Sequence, residues 1–161
     1  MLRDLYFLNA FNVGLLEKMT AEIPAERWGE SLANIPNHPA WQVGHLTFVR
    51  AALPAMLGKP GPVAVESVAR FGPKSTPAVG TGANPGKAES LAAFALAQEH
   101  LMAVVRELDE AALAAPTPNE GLRGRFPTVQ DALLGLLGPH DSLHLGQLGV
   151  WRSASGLPRI L

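Results

Sequence analysis

Apolar residues recur at helical spacing in four separated stretches of this chain, and no stretch alternates with the two-residue period of a strand. The first stretch runs from about Arg3 to Thr20 and carries Leu5, Leu8, Phe11, Leu15 and Met19. Pro24 and the segment Ile35-Pro36-Asn37 close it, with Trp28 between them as a packing anchor. The second opens at Asn37-His38-Pro39, where proline suits a first helical turn because its missing N–H has no partner to lose. Its inner face reads Trp41, His45, Phe48, Val49, Ala52 and Met56; Pro54 is expected to kink or fray the last turn and Gly58 to end it. The third, about Gly86 to Ala114, carries Leu91, Phe94, Ala95, Leu101, Val105 and Leu108. The fourth starts at Thr128, whose hydroxyl is placed to cap the N–H groups near Asp131. It continues to about Ala154 and stops at Gly156-Leu157-Pro158, with a kink expected where Pro139 removes a hydrogen bond to the Gly135 carbonyl.

The 16 glycines and 14 prolines would look excessive for a helical protein if they were scattered, but they are not. Eleven of them lie between Gly58 and Gly86, and a second cluster holds Pro116, Pro118, Gly121, Gly124 and Pro127. These are connections. The first, about thirty residues long, is too long for a tight antiparallel turn and reads as a crossover, with room for a short helix near Val63 to Phe71. The expected fold class is therefore all-α, a four-helix bundle with a long crossover after helix 2, with residues 1–161 as a single domain.

Composition narrows the function. At 47% apolar and 17% charged residues the chain is not of the disordered class, and no apolar run reaches the ~18 residues of a membrane span. Met1-Leu2-Arg3-Asp4 carries an early acid and no small-residue cleavage site, so no secretory signal is expected and the cytoplasm is the expected location. Without cysteine there is no disulfide scaffold, thiolate metal site or cysteine nucleophile. A net charge of −1 gives no reason to expect nucleic acid or an anionic membrane as partner. HExxH, Walker A, GxSxG and dinucleotide fingerprints are all absent.

The histidines carry the candidate chemistry. His140 and His144 are four residues apart, so their imidazoles sit one turn apart on one helical face, along the stripe of Leu133, Leu136, Leu137, Gln147, Leu148 and Trp151. His45 falls on the apolar face of helix 2, between Trp41 and Val49. Three inward imidazoles on two helices each need a donor and an acceptor satisfied, and burying them unpaired costs roughly 1–3 kcal/mol per group. A divalent cation taking one nitrogen from each ring solves this, and three nitrogen ligands without thiolate suit Zn²⁺ or Ni²⁺ with one position open. The competing reading is a non-catalytic, stress-related helical binding protein whose histidines are satisfied by hydrogen bonds.

His45 within Trp41-Gln42-Val43-Gly44-His45-Leu46, together with His140-x-x-x-His144-Leu145-Gly146-Gln147-Leu148 and the ending Trp151-Arg152 with Gly156-Leu157-Pro158, resembles the DinB-like superfamily of damage-inducible four-helix proteins. The resemblance covers essentially the whole chain. It implies an up-down-down-up bundle, frequently a homodimer, with a three-histidine metal site; carried over by position, the ligands are His45, His140 and His144. Family members include thiol S-transferases using bacillithiol or mycothiol and a mycothiol-dependent maleylpyruvate isomerase. A metal-dependent enzyme is implied, either a thiol S-transferase or a small-molecule hydrolase, with a small-molecule substrate and a low-molecular-weight thiol as candidate partners.

Other residues have plainer expected roles. His38 reads as a helix cap and His100 as a structural residue beside Glu99. Gln147 either bonds into the site or ties helix 4 to a neighbour, and Trp41 and Trp151 read as core packing. Asp141 projects about 100° from His140, which suits a partner behind the ligands or a surface residue better than a general base. Arg123 and Arg125 read as solvated loop residues, and Glu66 lies in a connection long enough to fold over the site. The glycine-rich residues 72–86 and an exposed tail, Leu157-Ile160-Leu161, are expected to leave room for an oligomer contact.

Overall fold

The computed structural model describes residues 2–32, 35, 37–80 and 82–160. Met1, Pro36 and Leu161, named above, lie outside them. The described residues form an all-α bundle without strands. Its long elements are α1 (Leu2–Ala21), α2 (Pro39–Met56), α4 (Lys87–Arg106) and a composite fourth helix. The crossover holds α3 (Val65–Val68) and a 3₁₀ turn, Ala69–Phe71, where the sequence predicts a short helix. The second connection holds α5 (Glu110–Ala114) and α6 (Glu120–Arg123). The fourth helix is α7 (Val129–Gly135), a π turn (Leu136–His140) and α8 (Asp141–Ala154).

Helix α2 is central. Nearly every residue from Pro39 to Pro54 is buried, as expected of a helix packed on several sides, and it lies against α4, α3 and α8. Its start shares a core cluster with Leu91 and Phe94 of early α4, and the carbonyl of Lys59, just beyond its end, accepts from His100 Nε2 late in α4 at 2.9 Å. The two helices therefore run parallel, which only a long crossover permits. Leu5 clusters with Leu133 and Leu137, and Leu16 and Met19 with Leu145, Leu148 and Trp151, so α1 runs parallel to the fourth helix and opposite to α2. The order is up-down-down-up.

The third helix is shorter than its apolar pattern suggests. It ends at Arg106 because Asp109 starts a new helix, accepting from the Ala112 N–H at 2.8 Å, and Leu113 turns in against Val105 and Val129. Helix α1 corrects the sequence reading more sharply. Its buried side is Leu5, Asn9, Asn12, Leu16 and Met19, whereas Leu8 and Phe11 are exposed with Phe7. Two asparagines interrupt the core stripe, so its apolar spacing does not show from sequence. The tail also differs: Leu157 and Ile160 are half-buried against the core cluster rather than exposed.

The caps behave as expected. Thr128 and Asp131 form a reciprocal capping box, and His38 caps α2 by accepting from the Trp41 N–H at 3.2 Å. Helix α2 runs through Pro54 for two more residues before Gly58, at φ +74°, releases the chain. Pro139 brings a π turn: one extra residue in the turn accommodates a proline that has no N–H and whose ring crowds the preceding carbonyls. The carbonyls left over are taken from outside the helix. Asn12 Nδ2 of α1 donates to Leu137 O at 3.1 Å and to Gly138 O at 3.2 Å.

Candidate metal centre

The π turn delivers His140 beside His144, and α2 brings His45 to meet them. One ring nitrogen from each of the three lies within 4.8 Å of the other two. His140 Nε2 is 3.2 Å from His45 Nε2 and 3.2 Å from His144 Nε2. His45 and His144 are buried and His140 is half-buried.

What lies behind each ring decides where the protons are. His45 Nδ1 is 2.6 Å from the Phe71 carbonyl, which can only accept, so Nδ1 carries the proton and Nε2 presents a lone pair. His144 Nδ1 is 2.7 Å from Gln42 Oε1. The orientation of that amide follows from its other end, because Gln42 Nε2 reaches the Asn37 carbonyl, which can only accept, at 3.4 Å and also donates to Gln147 Oε1 at 2.9 Å. His144 therefore also presents a bare Nε2. His140 Nε2 faces both lone pairs and can give a proton to only one. His140 Nδ1 is buried without a hydrogen-bond partner; its nearest ionic neighbour, Asp141 Oδ1, is 3.9 Å away.

This donor set fits a cation. Ligands at 2.0–2.1 Å in tetrahedral geometry put neighbouring nitrogens about 3.3 Å apart, close to the spacing found here. Neutral imidazoles are the form that binds metal, and the surroundings enforce it. Burial lowers the His45 pKa and outweighs the opposing help of the Phe71 carbonyl, with a smaller further lowering from His140. Burial, then the His45 and His140 rings, pushes His144 down to about 3.

The surroundings explain the local sequence. The Trp41 ring stacks on His45 at 5.0 Å between centroids and 5° between planes, and its Nε1 donates to Ser75 Oγ at 3.0 Å. Phe71 closes over Gly44, where a Cβ would fall 2.5 Å from the Phe71 ring. The crossover thus covers the site through Phe71, while Glu66 stays exposed outside the histidine cluster. Gln147 ties α8 to α2 by accepting from Gln42 and from Asn37.

Other expected residues lie elsewhere. His38 Nε2 bonds the Ala78 carbonyl at 2.9 Å, and His100 pins the start of the crossover at Lys59. Arg123 braces its own loop at Thr117 O and Pro118 O, and Arg125 lies over Phe126. Trp151 is fully buried and donates to Glu30 O at 2.8 Å. Asp141 is not at the surface: it is 1% exposed and paired with Arg50. Burial alone would raise its pKa, but the Arg50 guanidinium, reinforced by His140, holds it below the usual carboxylate range. Gln42 and Arg50 were not singled out from sequence. The signals were there: Gln42 stands three residues before His45, and Arg50 shares a stripe with Leu46 and Leu53.

The sequence profile of the DinB superfamily matches residues 13–148, and the chain belongs to that superfamily. No curated protein and no solved structure matches it significantly.

Proposed function

We propose that this DinB-superfamily protein is a metal-dependent enzyme of small-molecule chemistry, holding Zn²⁺ or Ni²⁺ on the Nε2 atoms of His45, His140 and His144. The observation that carries the reading is the convergence of three Nε2 atoms, two of them bare acceptors, around at most one proton. A divalent cation bound there supplies a Lewis acid able to stabilise a thiolate or to acidify water. The chain supplies the rest. Phe71 O and Gln42 Oε1 hold two rings in the binding tautomer, Trp41 fixes the plane of His45, and half-buried His140 marks the side open to substrate. Three protein ligands leave a coordination position free.

With no cysteine in the chain, a transferred sulfur comes from a cosubstrate, so the reaction favoured is transfer of a low-molecular-weight thiol to a small electrophile. Hydrolysis of a small substrate at the same site is the second activity to assay. The proposed setting is the cytoplasm, with residues 1–161 working as one domain. No described helix is long and apolar enough to cross a membrane.

The acting unit is proposed to be a homodimer paired through the α1/α8 face. Phe7, Phe11, Leu143 and Val150 are each more than half exposed on these helices. Phe11 and Val150 border a groove of about 550 Å³, with Leu15, Leu145 and Gly149 in its lining. A face this apolar is a candidate for cover by a second copy.

Elemental analysis of untagged protein beside His144→Ala tests the metal. About one Zn or Ni per chain in the parent and almost none in the variant is the expected result. A folded parent that takes up neither metal overturns the reading.

A further inference from the structure

Arg50 is a fully buried arginine that touches none of the three histidines, yet it sits one residue's reach behind them. Its Nη2 donates to Asp141 Oδ2 at 2.6 Å and its Nη1 to Asp141 Oδ1 at 3.4 Å, with both side chains 1% exposed. Nη1 also reaches Leu46 O at 3.2 Å, and Nε donates to Gln98 Oε1 of α4 at 2.6 Å. The guanidinium carbon lies 4.5 Å from the centre of the Phe94 ring. Every edge of the guanidinium is held, so the carboxylate it grips is held too.

We propose that Arg50 and Asp141 are a positioning pair for His140, with Arg50 aiming Asp141 Oδ1 at the Nδ1–H that His140 presents once its Nε2 is bound to a divalent cation. The inference rests on the metal reading above. Its first support is asymmetry. His45 and His144 each have an acceptor behind the ring, whereas His140 Nδ1 has none, and Asp141 Oδ1 stands about 1 Å beyond hydrogen-bond length. The second is the division of labour on Asp141. Arg50 takes Oδ2 closely and Oδ1 loosely, which leaves Oδ1 with acceptor capacity on the side toward His140.

The third support is that stability alone does not account for the pair. Two charges buried this deeply gain little over an apolar pair of the same volume. A carboxylate behind a metal-binding imidazole, by contrast, fixes the ring and raises its basicity, and losing such a partner typically lowers metal affinity 10–100-fold. The other two rings lean on neutral acceptors, so Asp141 is the charged partner of the set. The arrangement also gives α4 a part in the site: it contributes no ligand but anchors Arg50 through Gln98.

The test is Zn²⁺ affinity, measured by competition with a chelating dye in metal-free wild type, Arg50→Met/Asp141→Leu and Arg50→Met/Asp141→Asn. Removing both charges together avoids stranding one of them, and denaturant unfolding of the metal-free proteins checks the fold. The expected result is a 10–100-fold loss of affinity in the Met/Leu protein at near-parent stability. Partial recovery is expected in the Met/Asn protein, whose amide oxygen can still accept from Nδ1. A folded Met/Leu protein that binds Zn²⁺ as tightly as wild type overturns the proposal while leaving the metal site intact. If folded wild type itself binds no Zn²⁺, the metal reading and this one fall together. If neither double variant folds, Gln98→Met carries the test, since it frees Arg50 Nε and keeps both charges: several-fold weaker binding supports the pair, and unchanged binding overturns it.

Discussion

Asn12 of α1 and Gly138 of the π turn are joined by a hydrogen bond of 3.2 Å, and the same amide nitrogen reaches the neighbouring Leu137 carbonyl. Both carbonyls are buried, and both belong to the turn that ends at His140. Asn12→Leu keeps the branched outline of the side chain and removes the donor. The expected loss is about 1–3 kcal/mol of unfolding free energy in urea, the cost of leaving buried carbonyls unpaired. Unchanged stability would show that the turn does not depend on the clamp.

Gly44→Ala tests the crossover's hold on the site. The new methyl would stand 2.5 Å from the Phe71 ring, so the ring has to move, and the Phe71 carbonyl behind His45 moves with its backbone. We expect a stability loss of about 1–3 kcal/mol and weaker Zn²⁺ binding. Parent-like Zn²⁺ binding in the dye competition would mean that His45 does not need that carbonyl.

Metal and fold should be linked. A cation bound by the folded chain adds about 2.7 kcal/mol of unfolding free energy at a hundredfold excess over its dissociation constant, so the unfolding midpoint rises with its concentration. Saturating Zn²⁺ is therefore expected to raise the thermal midpoint of the parent and of Asn12→Leu, but not of His45→Ala or His144→Ala. Equal shifts in all four would place the ion elsewhere.

The pH dependence of the metal-free protein has a definite sign. His144 in the folded chain titrates at about 3 against an ordinary value of 6.5, so between these values the unfolded chain holds a proton that the folded one does not. Its contribution to stability is fully present above pH 6.5 and is lost as pH falls toward 3. His45 is shifted the same way. Urea midpoints should fall on acidification from pH 7.5 to 4.5, less steeply in His144→Ala. Parallel slopes would assign the acid sensitivity to other groups.

Assembly can be checked by mass. Light scattering on a sizing column is expected to give a dimer for the parent and a monomer for Phe11→Glu with Val150→Glu, both exposed positions that leave the core untouched. A monomeric parent removes the proposed pairing.

The bundle and the paired histidines of its last helix were readable because both depend on short-range spacing. The His140 and His144 rings share a face by helical geometry alone, and Thr128 with Asp131 announces its helix start in four residues. What stayed hidden depends on distant partners. Asn9 and Asn12 look like solvent positions until the π turn supplies carbonyls for Asn12. Arg50 looks like a surface charge until Asp141 and Gln98 close on it from two other helices. The end of α4 escaped because apolar spacing continues past it, and only the Asp109 cap shows the break.

The π turn also changes how the last helix must be counted. At 100° per residue, the buried positions before it (129, 132, 133) and after it (141, 144, 145, 148, 151, 152) centre on directions about 110° apart. The extra residue absorbs nearly that whole angle, so the turn acts as a reading-frame shift written into a helix. Everything from His140 onward, His144 included, is in phase with the core only because one residue is surplus. Shortening the turn by a single residue would leave the caps and the histidine spacing intact, yet swing the His140-His144 face about a quarter turn away from His45.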